Sequence, residues 1–305
     1  MKKYKIYFIL FFLIVGIISS YKIYHYIFFK IFETKLTSVL PDNEKNFNFV
    51  KTIIKISSIF DSNAEPQWVE KQIYTMAGNL KQKIGDEANP EYIINIFNDY
   101  FFNVENFSFD ESFNNIQKLT YSQIIDYNSI QNALKTKKSI CMTISLIYLI
   151  LGDILNLPLY GVLIPGHIYV RYREEGKSGI NIETTLKGYE YYGYMNLFGP
   201  AIYGNDKNIY GKELTKYQVV GAYLNNLGSS LLTVGELQKA EILFKKSLKY
   251  LPSISEPYIN LGILYEKLNK QATALKYYLN AVEINPQNDF ILTKIGVIFY
   301  NPGKF

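Results

Sequence analysis

Four pairs of residues near the C-terminus stand 34 positions apart: Gly228 and Gly262, Ala240 and Ala274, Phe244 and Tyr278, Pro252 and Pro286. Leu227 and Leu261 precede the glycines, and Ser247 and Ala281 add a further pair of small residues. A repeat of this length constrains the chain to stacked helical hairpins. Glycine and alanine fall where two antiparallel helices must touch. Leu231/Tyr265 and Phe244/Tyr278 fill the space between neighbours, and proline ends the second helix of each unit. A third copy begins at Ile295-Gly296, with Phe299 in the place of Tyr265, and the sequence stops at Phe305. Either this last helix caps the array or the repeat is cut short.

The pattern resembles the tetratricopeptide repeat (TPR), with two full copies and one partial copy over residues 215–305. The resemblance implies a protein partner bound through the repeats, or a scaffold holding a neighbouring domain. The rest of the chain must therefore carry any chemistry. With 305 residues, 48% hydrophobic and 16% aromatic, it has enough apolar material for a second core. The net charge of +5 is spread without a dense basic block, which argues against nucleic acid as a partner. One cysteine excludes an intrachain disulfide, a cysteine-rich zinc site and an iron–sulfur cluster. His25 and His167 are the only histidines, and no spacing suggests a metal site or any other cofactor.

Residues 1–30 read as a membrane anchor or a signal segment. Lys2, Lys3 and Lys5 precede a charge-free run, and Tyr4 to Tyr24 could supply the roughly 20 apolar residues of a spanning helix. Tyr4, Tyr7, Tyr21 and Tyr24 sit at its ends, as an interfacial aromatic belt would. Gly16 and Ser19-Ser20 are the nearest approach to a cleavage site. The expectation is an uncleaved N-terminal transmembrane helix, a single-pass membrane protein, and the bulk of the chain extracytoplasmic.

The sole cysteine lies in KKSICMTISLIYLILG. Met142 to Leu155 is apolar nearly all round, the signature of a buried helix, and Leu157-Pro158 ends it. Cys141 therefore falls at the helix N-terminus, where unpaired N–H groups and the positive end of the dipole stabilise a thiolate. Lys135, Lys137 and Lys138 would add to that effect. The alternative is a small core residue. Downstream, Val162 to Ile164, His167 to Tyr172 and Ile180 to Thr185 read as strands, broken at Pro165-Gly166 and at the turn from Glu174 to Gly179. Pairing the last two by their apolar residues sets Ile168 opposite Ile182 and Val170 opposite Ile180. His167 then lies opposite Glu183, and Tyr169 opposite Asn181, all on the other face. A nucleophile on a helix tip, a base on one strand and an orienting group on the next is the arrangement of thiol acyl transfer. Arg171 reads as a structural partner for a nearby acid, and Tyr169 as cleft wall.

These stretches resemble the bacterial transglutaminase-like superfamily, which is related in fold to papain-like cysteine proteases, and in particular its branch with C-terminal tetratricopeptide repeats. The matching positions are Cys141, Gly161-Val162, Pro165-Gly166-His167, Arg171 and Glu183-Thr184-Thr185. The likeness extends into LTKYQVVGAYLNNLG, and more loosely over the helical stretch from Phe49 to Tyr127. Glycine is usual where Ser139 stands, and aspartate is the commonest residue where Glu183 stands. The resemblance implies an α+β, papain-like core whose catalytic residues are Cys141, His167 and Glu183, with Asn181 as the alternative third member. The reaction implied is attack on an amide or peptide bond of a protein or peptide substrate, by hydrolysis or transfer. An inactive core that only scaffolds a partner is the second reading. The organisation expected is a transglutaminase-like domain with helical lead-in over 42–195, a connector over 196–214, and the repeats. Within the lead-in, Val69, Ile73, Met76 and Leu80 carry helical apolar spacing.

Overall fold

The computed structural model describes residues 23–300 except 25, 46, 87–88, 192 and 194–203. The chain forms two compact units, residues 1–40 and 41–305. In the first, residues 26–39 are helical (α1).

The second unit opens with the lead-in helices α2 (Phe49–Ser58), α3 (Pro66–Ile84) and α4 (Pro90–Asn98). Each of α2 and α4 has an asparagine N-cap, Asn48 and Asn89, accepting a backbone N–H, as a helix start requires. Val69, Ile73, Met76 and Leu80 form the buried stripe of α3. After a π-helical turn (Asp99–Val104), β1 (Ser108–Phe109) pairs in parallel with β2 (Lys138–Ser139). Between them lie α5 (Tyr121–Asn128) and α6 (Ile130–Thr136).

Helix α7 (Cys141–Ile154) is the axis of the core. Every residue from Met142 to Gly152 is buried, so the helix is enclosed by α2, α3 and α6 together with the sheet. Side chains of the Leu, Ile and Phe class contribute about 1.5–3 kcal/mol each when fully buried, which anchors α7 in the core. The sheet is antiparallel, in the order β5 (Ile180–Ile182), β4 (His167–Tyr172), β3 (Leu159–Ile164), β6 (Glu213–Leu214). β3 and β4 close as a tight hairpin at Pro165-Gly166, where Gly166 takes φ +72°; glycine adopts that conformation without steric cost.

The C-terminal part is all helix: α8 (Lys216–Thr233), α9 (Leu237–Tyr250), α10 (Glu256–Lys267), α11 (Gln271–Ile284) and α12 (Asp289–Tyr300). The 34-residue period has a direct steric cause. A Cβ on Gly228 would stand 2.6 Å from the ring of Phe244, and one on Gly262 would stand 2.3 Å from Tyr278. Each glycine is the seat of the aromatic ring from the following helix. The third copy departs from this. Gly296 has nothing within 4 Å, and Phe299 is 62% exposed where its counterpart Tyr265 is 8% exposed.

The reading of the N-terminus requires correction. Among the described residues no helix is long and apolar enough to cross a membrane. The N-terminal transmembrane helix, and with it the single-pass membrane localisation, therefore drops out of the fold. Most of the Tyr4–Tyr24 stretch on which it stood lies outside the described residues. What stands is a mixed α/β core followed by a helical, TPR-like C-terminus.

Candidate active site

Cys141 is the first residue of α7. Two hydroxyls fix that tip: Ser139 Oγ and Thr143 Oγ1 both donate to the carbonyl of Tyr127, at 2.6 and 2.8 Å. Ser139 is fully buried, so the hydroxyl at this position supplies a brace that a glycine could not. Two of the three neighbouring lysines are paired with carboxylates. Lys135 pairs with Glu65 at 3.3 Å, Lys137 pairs with Glu105 at 2.6 Å, and Lys138 is exposed. Carboxylates distant in sequence thus take up two of the three charges.

His167 begins β4, straight after the hairpin turn. Its Nε2 lies 2.8 Å from Oε2 of Glu183, and the Cys141 side chain is also a hydrogen-bond partner of the ring. Burial alone would push the imidazole pKa down. The hydrogen bonds and negative charge of Cys141 and Glu183 outweigh burial and raise it from 6.5 to about 10, favouring imidazolium. Glu183 is 1% exposed. Its other oxygen, Oε1, accepts from the Thr185 N–H at 2.8 Å and from Thr185 Oγ1 at 2.6 Å. A buried carboxylate needs such partners, and all of them hold it toward the ring.

The register of the β4–β5 ladder differs from expectation by two residues. Val170 faces Ile182, Arg171 faces Asn181 and Tyr172 faces Ile180. The turn is longer than expected; within it Gly176 takes φ +74° and Gly179 passes against Arg171, where a Cβ would stand 2.6 Å from Cδ. A slip of two preserves the faces, so His167, Asn181 and Glu183 still share one side. Glu183 lies just beyond the end of β5 and reaches the ring diagonally. The Asn181 Oδ1 accepts from Arg171 Nε at 2.7 Å. Arg171 also donates to Glu213 at 2.7 Å and to the Tyr169 hydroxyl at 2.9 Å, a structural role. Tyr169 is buried and does not wall the cavity at Cys141.

Sequence reasoning missed the group that holds the Glu183 loop. Asn98, at the end of α4, accepts from the Tyr148 hydroxyl at 2.9 Å and donates to the Gly188 carbonyl at 3.3 Å. Gly188 takes φ +82°, and a Cβ there would lie 2.4 Å from Asn98. The Gly188 N–H returns to the Glu183 carbonyl at 2.9 Å. Helix α7 is tied to the same loop by Ser145 Oγ, 2.8 Å from Thr184 Oγ1. A Ser-Thr or Asn-Gly contact across 39 or 90 positions leaves no local signal.

Cys141 and His167 line one cavity of about 180 Å³, and its far wall comes from the repeat helices. Larger recesses, about 730 and 380 Å³, lie along the β5 edge and touch none of the three residues. The small cavity holds the reactive groups, so it is the candidate site.

Comparison with known proteins agrees with this architecture. Residues 67–191 match the family model of the transglutaminase-like superfamily, a span that contains Cys141, His167 and Glu183. Residues 255–288 match the tetratricopeptide repeat, a protein–protein interaction module. No curated protein matches the chain. Among solved structures, the chain is similar to menin, in a crystal structure that reveals the binding site for Mixed Lineage Leukemia (MLL) protein. The TM-score is 0.55 at 12% identity, over 90% of this chain and 66% of that one. At this identity the likeness is one of fold, and the chain spans less than two thirds of menin's length. The chain thus carries a transglutaminase-like domain over residues 67–191, joined to a tetratricopeptide repeat over 255–288.

Proposed function

We propose that the protein is a thiol-dependent amide hydrolase or acyltransferase acting through Cys141, His167 and Glu183. The observation that carries this reading is the position of His167, hydrogen-bonded to the only cysteine on one side and to a buried carboxylate on the other. The Cys141 sulfur attacks the carbonyl carbon of an amide or peptide bond. The imidazolium proton passes to the leaving nitrogen as the C–N bond breaks, leaving a thioester on Cys141. Water or a second amine, its proton taken by His167, then attacks the thioester and regenerates the thiol. Glu183 fixes the ring orientation and stabilises its charged form. The N-terminus of α7 offers backbone N–H groups for the oxyanion. The substrate is a protein or peptide, and the repeats bind a protein partner.

A second reading, a non-catalytic scaffold, draws support from the repeats and from the fold likeness to menin, whose structure is described by a binding site for another protein. Alkylation separates the two. Because Cys141 is the only thiol, the rate of iodoacetamide modification reports on it alone. The enzyme reading expects fast reaction at pH 6 that collapses in His167→Ala. A thiol that resists modification until unfolding, in both proteins, contradicts it and favours the scaffold.

A further inference from the structure

The wall of the Cys141 cavity opposite the catalytic residues belongs to the repeats. Asn225, Asn226 and Ser229 of α8 and Glu256 of α10 line it. That wall is fixed rather than loosely apposed. Asn226 donates to Asn128 Oδ1 at 2.8 Å, Asn128 donates to Ser230 at 3.2 Å, and the Tyr223 hydroxyl donates to the Asn128 carbonyl at 2.8 Å. Three side chains of α8 thus hold the C-terminal end of α5, the same segment whose Tyr127 carbonyl anchors the tip carrying Cys141.

This wall offers several hydrogen-bond acceptors. Asn226 gives one of its two amide N–H groups to Asn128, and its oxygen stays available as an acceptor. Asn225 gives its oxygen to Asn260 at 3.1 Å and is a hydrogen-bond partner of Glu256. Glu256 takes the Tyr210 hydroxyl on Oε2 at 3.1 Å. A carboxylate has roughly four acceptor positions, so two donors leave it under-supplied. Of the cavity's lining residues, Glu256 is the one acid; no lysine or arginine joins it, and His167, the cavity's one cationic group, is engaged by Cys141 and Glu183. No ion pair to it is found among the described residues. Asp206, whose charge acts on Glu256, accepts from the Ser255 N–H, the Ser255 hydroxyl and Asn285. Burial, together with the charge of Asp206, raises the Glu256 pKa, and a cation held beside it would lower it again.

We propose that Glu256 is a specificity-determining residue of the Cys141 site, and that it holds a cationic nitrogen of the substrate, an ammonium or guanidinium group, close to the bond that Cys141 attacks. The inference rests on the reading of Cys141 as nucleophile, while the binding of a cation rests on the cavity alone. An ammonium supplies the donors and the positive charge that the Glu256 carboxylate lacks. The repeats, on this view, complete the pocket of the core domain as well as meeting a protein partner elsewhere.

The test compares two reagents for the single thiol, 2-aminoethyl methanethiosulfonate, a cation, and 2-sulfonatoethyl methanethiosulfonate, an anion. The readout is the ratio of their rates, which cancels any change in intrinsic thiol reactivity. In the folded full-length protein the cation-to-anion ratio is expected to exceed that of the urea-unfolded protein by about 10-fold, the effect of one nearby charge in a partly buried site. In Glu256→Gln, which keeps the shape of the side chain, most of that excess is lost. A folded wild-type ratio no larger than the unfolded one overturns the proposal without recourse to any variant, and so does an unchanged ratio in a folded Glu256→Gln. The catalytic reading fails separately, if absolute rates at pH 6 do not depend on His167.

Discussion

The core and the repeats solve the same problem, packing helices without voids, by opposite means. In the repeats one solution is written twice: Gly228 seats Phe244 and Gly262 seats Tyr278, and each copy touches mainly its neighbour. In the core no contact is repeated. Cys141, His167 and Glu183 meet through a hairpin, an edge strand and a buried helix, and their positions depend on single tethers such as Asn98 to Gly188 and Ser145 to Thr184. The repeat region is therefore robust and legible, and the core is specific and brittle. Damage in the core should change chemistry before stability, and damage in the repeats the reverse.

The largest effect expected is on reactivity. An ordinary cysteine, with pKa about 8.5, is under ~1% thiolate at pH 6. His167→Ala should therefore slow iodoacetamide modification of Cys141 on the order of 10²-fold at that pH, with a thermal midpoint close to wild type. Glu183→Gln follows. Its amide would donate to Nε2 of His167 and fix the ring proton on Nδ1, the wrong tautomer to accept from sulfur. A loss of about 10-fold or more is expected in the same assay; wild-type reactivity would show that Glu183 only packs. In the repeats, Gly262→Ala forces a methyl against Tyr278 and should destabilise the protein by about 1–3 kcal/mol, read by denaturant unfolding, while thiol reactivity remains. Gly296→Ala should go the other way. Nothing stands within 4 Å, so replacing a helical glycine should stabilise α12 by about 0.5–1 kcal/mol. Equal effects at Gly262 and Gly296 would erase the difference between a filled and an open seat.

Much of this was readable from the sequence, and the failures have physical causes. The helical pairs follow from four residue types at one period, and the burial of α7 follows from its unbroken apolar run. The shared face of His167 and Glu183 follows from strand alternation. The offset along the ladder does not, because Ile168, Val170, Ile180 and Ile182 are all apolar and either register buries them equally. Asn98, Glu65 and Glu105 act across long separations, where spacing says nothing. The repeat-built wall of the cavity depends on how α8 docks on α5, through polar contacts among Asn128, Asn226 and Ser230 that no hydrophobic pattern announces. The third copy shows a limit of another kind: periodicity identified Phe299 as the counterpart of Tyr265, but only a neighbouring helix could bury it.

The ionisation of His167 also sets a pH dependence. Its folded pKa is raised above 6.5, to about 10, so the stabilisation it brings is complete below 6.5 and fades as pH rises toward 10. Stability relative to His167→Gln should shrink across that window. NMR titration of the His167 ring, assigned by its absence in His167→Gln, tests the pairing itself. The account predicts a ring that stays protonated well above pH 6.5 in the wild type and titrates at lower pH in Cys141→Ala, where one of its two partners is gone. A ring that titrates near 6.5 in both proteins would contradict it.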